Sequence, residues 1–134
     1  MADENQRLLW VMRILSAAFL LVTGGIHLYL VFNGTGGVLG VAFVLNAVAG
    51  LVLAIGMLAL RGRFLAVATV LSLLFMIATL LALVLALTVG LMGITQTWDA
   101  LLVPQTVVIE SIGVVVLAVT AALVLRNPGT GLSR

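Results

Sequence analysis

Long apolar stretches alternate along this chain with short polar breaks. Four stretches reach the roughly 20 residues that a helix needs to cross a bilayer core about 30 Å thick. They run from Leu8 to Phe32, Val38 to Leu60, Phe64 to Gly90 and Pro104 to Leu125. None alternates polar and apolar residues with period two, and each is too long for a membrane strand, so the pattern predicts helices. The breaks carry turn chemistry. The sequence NGTGG at 33–37 places Asn and Gly where positive φ is tolerated, and RGR at 61–63 makes a charged hairpin. In the longer segment LMGITQTWDALLVP, Thr97 is suited to cap a short turn, Trp98 to an interface, and Pro104 to the first turn of a helix. The expected fold is all-α: residues 1–134 form one transmembrane domain, a four-helix bundle.

Composition supports that solvent. The chain is 64% hydrophobic and 7% charged, whereas soluble domains are about half apolar and a quarter charged. All six basic residues are arginine. Arg7 and Arg13 precede or enter span one, Arg61 and Arg63 join spans two and three, and Arg126 and Arg134 follow span four. All lie on one side of an up-and-down stack, so the positive-inside rule puts both termini in the cytoplasm and residues 33–37 and 91–103 outside. A multi-pass protein of a bacterial inner or plasma membrane is the expectation. A cleaved signal peptide fits poorly, because Asp3 and Glu4 precede the first apolar run and no A-x-A site follows it.

Several function classes drop out. The arginines are too few and too scattered for a phosphate-binding surface, so nucleic acid is not an expected partner. There is no cysteine and only one histidine. That leaves no disulfide, thiolate zinc site or iron–sulfur cluster, and neither metal nor cofactor is expected. Haem ligation would need the histidine of a second chain. No nucleophile and base are spaced for catalysis, so an enzyme is not expected. The expected partners are the bilayer and a second copy or a larger membrane complex.

Depth can be read at 1.5 Å per residue. His27 lies about 9 Å below the outer turn, Glu110 about 9 Å in from Pro104, and Asn46 about 12 Å in from Val38. These polar side chains therefore share the outer half of the bilayer. Helical phase groups Ser16, Leu20, Thr23 and His27 on one face of span one, and Thr106, Glu110, Leu117 and Ala121 on one face of span four. In span two, Ala42, Asn46, Gly50 and Leu53 form a small, polar face. His27, Asn46, Glu110, Thr23 and Thr106 are the expected intramembrane cluster, a candidate for proton or substrate binding.

Glu110 is the sharpest clue. A charged carboxylate at a helix centre costs about 2.5–3.5 kcal/mol on insertion scales, so it is neutral, paired or hydrated. It reads either as a proton- or cation-binding group facing a cavity, or as a neutral acid gluing two helices. His27 is expected to meet Glu110 across spans one and four, or to satisfy itself near the interface. Asn46 fits a bond between helices. Trp10 suits an inner aromatic belt, and Tyr29 and Trp98 an outer one. Span three carries no ionisable group. Its Ala78, Ala82, Ala86 and Gly90 form a small-residue stripe expected to pack against a helix.

The stretch GGIHLYLVFNGTGGVLGVAFVLNAVAGLVLA resembles uncharacterised four-span membrane proteins of actinobacteria. In those proteins a His–Leu pair ends span one and a Phe-x-Leu-Asn run opens span two. The likeness covers about the first 55 residues and implies that His27 and Asn46 belong together, but it brings no activity. Small multidrug transporters also have four spans and one membrane glutamate, but theirs lies in span one.

Two functions remain. The first is an accessory or structural membrane subunit, packing through its small-residue faces with a polar cluster in the outer half of the bilayer. The alternative is a small proton-coupled transporter or channel using Glu110 and His27.

Overall fold

A computed structural model describes residues 2–126, with no side-chain description at residue 2; Arg134 lies outside the described residues. The described chain forms four α-helices: α1 (Ala2–Phe32), α2 (Gly37–Ala59), α3 (Gly62–Thr88) and α4 (Val103–Arg126). Each is long and apolar enough to cross a membrane, as expected of a multi-pass membrane protein. The helices form a ring in which α1 touches α2 and α4, and α3 touches α4 and α2. One end of the bundle carries the α2–α3 hairpin; we call it proximal. The distal end carries the turn at 33–36 and the segment 89–102.

Local chemistry sets the helix limits. α1 begins well before the apolar run because Asp3 and Glu4 sit in its first turn, where carboxylates oppose the positive helix end. It stops at a glycine closure. Gly34 takes φ +107°, and Thr35 N–H reaches back to the Leu30 carbonyl at 3.1 Å. The Asn33 side chain donates to the Tyr29 carbonyl at 2.8 Å, satisfying another terminal acceptor. Between α3 and α4 the chain makes a tight turn, with Leu91 and Ile94 exchanging two backbone hydrogen bonds of 2.8 Å. Gln96 N–H then bonds the Ala86 carbonyl at 2.8 Å, tying this segment back onto α3. Thr97 does close a short turn, accepting from Ala100 N–H on its carbonyl. Its hydroxyl donates to Asp99 and holds that exposed carboxyl below the usual carboxylate range.

The axis is filled by Leu20, Met57, Leu65, Met76 and Leu117, none with accessible surface beyond 1%. Glycines set the spacing of α1 and α2. A Cβ at Gly50 would lie 2.8 Å from the Leu20 carbonyl oxygen, and one at Gly24 would lie 3.2 Å from Ala47 Cα. Backbones can approach this closely only where side chains are missing. At the proximal end Arg13 fastens the same pair of helices. Its Nε donates to the Met57 carbonyl and its Nη2 to the Leu60 carbonyl, both at 2.7 Å, while its guanidinium lies 4.1 Å from the Trp10 ring. Leu60 is the C-cap of α2, so the cation occupies the negative end of that helix and fills acceptors the helix leaves open.

Candidate functional site: a cavity in the distal half of the bundle

A cavity of about 540 Å³ lies in the distal half, within the range that holds a drug-sized molecule. α2 contributes Ala42, Phe43 and Asn46, and α3 contributes Phe75, Ala78, Thr79, Ala82 and Ala86. Behind them stand His27 and Leu30 of α1 and Val103 and Thr106 of α4, while Leu91, Ile94, Gln96 and Leu101 cover the distal end. The cavity exists because α2 and α3, though joined by a short hairpin, touch least of all neighbouring helices. Ala42 and Ala78 remain exposed beside the gap between them.

The alanine stripe of α3 therefore does different work from that expected of it. Ala78, Ala82 and Ala86 line the cavity, where their small side chains leave it volume, and Gly90 lies beyond the end of α3. Close helix approach is made instead by Gly24 and Gly50 between α1 and α2. The expected cluster drew only on spans one, two and four, and the structure adds α3 to the polar contact. Asn46 Nδ2 donates to Thr79 Oγ1 at 3.1 Å, so the polar partner of α2 lies on α3.

The inward faces of α1 and α4 agree with their helical phase: Ser16, Leu20, Thr23, His27, Thr106, Glu110, Leu117 and Ala121 are all buried. The expected meeting of His27 with Glu110 is not formed. His27 Nδ1 lies 2.7 Å from the Thr23 carbonyl one turn back on its own helix. Its ring stands edge-on to Phe43, with centroids 4.7 Å apart. Glu110 is wholly buried and neither carboxyl oxygen has a hydrogen-bond partner among the described residues. The backbone of α1 supplies the imidazole with an acceptor one turn back on its own helix. Shared depth does not decide which way two side chains turn.

Register places Glu110 beside the inner wall of the cavity. Ser16 and Thr120 hydroxyls lie 3.0 Å apart, and a Cβ on Gly113 would touch Phe19 and Met76, which aligns α1, α3 and α4. Glu110 is one turn distal of Gly113, as Thr79 is of Met76, and one turn proximal of the cavity residue Thr106. Thr23 is at the same depth, its hydroxyl 3.6 Å from Met76 Sδ. Towards the proximal end the axis is closed by Leu20, Met76 and Leu117. Beyond that plug lie more buried polar groups: Thr69 donates to the Leu65 carbonyl, and of Ser16 and Thr120 one donates to the other while the other donates to a carbonyl of its own helix.

Sequence reasoning missed Thr79, Phe43 and Gln96 as site residues, and the capping role of Arg13. No family model matches the chain, and comparison with curated proteins and with solved structures finds no match either.

Proposed function

We propose that this chain is an accessory membrane protein, with both termini in the cytoplasm, whose distal cavity takes up a small apolar molecule from the outer half of the bilayer. The cavity carries this reading. It is lined mainly by apolar side chains with a few polar groups, the make-up of small-molecule sites, and it lies beside a gap between two helices. A structural subunit packing through its small-residue faces has less support, because those faces are used within the chain or turned to the cavity. The test is purification in mild detergent, solvent extraction and mass spectrometry of what co-purifies. An apolar compound at near-stoichiometric amount, lost from Ala82→Phe protein of unchanged stability, is the expected result. Equal lipid content in both proteins would remove the reading.

A second reading, proton-coupled transport, is favoured by one observation: the fully buried, unpartnered Glu110 carboxyl. Intramembrane acids mark ion or proton pathways by default. Proteoliposomes enclosing a pH-sensitive dye and subjected to a potassium diffusion potential report proton flux directly. Flux present in the natural protein and absent from Glu110→Gln supports coupling; equal flux in protein-free vesicles removes it.

A further inference from the structure

We infer that the distal cavity selects an uncharged apolar molecule bearing a hydroxyl group, an alcohol or phenol, which donates its hydrogen bond to His27 Nε2. This rests on the cavity reading above and specifies its ligand.

The protonation pattern of the wall carries the inference. A carbonyl oxygen only accepts, so the 2.7 Å contact of His27 Nδ1 with Thr23 O places the proton of the neutral ring on Nδ1. Nε2 is then a bare acceptor. It has no protein partner among the described residues, while His27 lines the cavity. The threonines beside it have likewise turned their donors away. Thr79 gives its hydroxyl proton to the Phe75 carbonyl at 2.9 Å, and Thr106 gives its own to the Leu102 carbonyl at 2.6 Å. Asn46 spends one N–H on Thr79, and its Oδ1 is buried with no donor. One N–H of Asn46 is the remaining donor on this deep wall, against lone pairs on His27, Asn46, Thr79 and Thr106. Such a wall is complemented by a ligand that donates.

Charge narrows the class. Among the described residues no arginine, aspartate or glutamate lines the cavity, and Glu110 lies behind its wall rather than in it. A phosphate or carboxylate would find no cation there, and an ammonium no counter-ion, so burying either is strongly unfavourable. A neutral donor on an apolar body is what remains. Phe43, Phe75 and the alanines Ala78, Ala82 and Ala86 offer the surface for that body.

The experiment is equilibrium binding to the detergent-solubilised full chain, by dialysis with radiolabelled 4-nonylphenol, its methyl ether and 4-nonylbenzoate. The ether keeps the shape and the acceptor of the phenol but lacks its donor. The expected order is phenol tightest, the ether weaker by about three- to tenfold, and the anion without saturable binding. In His27→Phe the phenol should fall to the affinity of the ether, whose own affinity stays unchanged. The comparison of phenol with ether in the natural protein needs no variant, so misfolding of His27→Phe would not blunt the test. Equal binding of phenol and ether overturns the donor proposal while leaving the cavity reading intact. Tighter binding of the anion overturns the proposal through its charge argument. Failure of all three to bind removes both readings.

Discussion

Arg13 Nε donates to the Met57 carbonyl oxygen at 2.7 Å, bringing a residue about three turns into α1 onto the last turn of α2. With Nη2 on Leu60, one planar guanidinium closes two acceptors. Hydrogen bonds to charged groups contribute about 1.5–3 kcal/mol. Arg13→Met is therefore expected to lower stability by about that amount in denaturant titrations in detergent. Arg13→Lys should recover only part of it, because an ammonium lacks the planar fork. Full recovery by lysine would show that charge alone matters at this end of α2.

The α1–α2 crossing gives a graded test with its own control. Gly50→Val places a side chain where even a Cβ meets the Leu20 carbonyl at 2.8 Å, and it is expected to destabilise by about 1–3 kcal/mol. Gly25→Ala, one position from Gly24 but with open space around it, should be neutral or slightly stabilising. Thermal unfolding of the two variants side by side decides the matter. Equal effects would mean that the helices do not cross at these glycines.

Glu110 separates structural glue from a group kept at a cost. Removing a buried polar group that has no partner is neutral or stabilising when an apolar group of similar shape replaces it. Glu110→Leu is expected to leave stability unchanged or to raise it by up to about 1–3 kcal/mol. If the carboxyl held two helices together, the same substitution would weaken the fold instead. Denaturant midpoints measure the difference without any assumption about activity.

The proposed topology can be read by chemistry, since the chain contains no cysteine. Thr35→Cys and Thr97→Cys should react with a membrane-impermeant thiol reagent on intact cells, and Arg63→Cys should not. Arg63 is a better probe than its neighbour Gly62, whose φ of +61° disfavours a side chain. Labelling at 63 but not at 35 would invert the orientation.

Much of the fold is legible in hydrophobicity, because the limits of an apolar run are nearly the limits of a helix. α2, Gly37–Ala59, differs from the expected Val38–Leu60 by one residue at each end. Phase also tells which way Thr23, His27, Thr106 and Glu110 turn within their own helices. It does not tell which residue they meet, since that depends on how each helix is rotated against its neighbours. Thr79 left no signal for this reason: a lone threonine in an apolar span satisfies its own hydroxyl through the preceding turn, as this one does with Phe75. Arg13 reads as an orientation charge until Met57 and Leu60, far along the chain, are brought to it. The cavity was illegible because the same alanines that line it would equally suit a tight helix contact.

The fastening of α1 to α2 gives the bundle unequal seams. On one side, interlocked backbones at Gly24 and Gly50 and the bridging Arg13 make two helices into a single stiff plate. On the other, α2 and α3 are held near their hairpin by the Thr69 hydroxyl 3.5 Å from Met57 Sδ and, beside the cavity, by Asn46 and Thr79. Deformation concentrates where the bonding is thinnest. Thermal motion that enlarges the cavity is thus expected to part α2 and α3 on their distal side, with the Asn46–Thr79 bond as the latch.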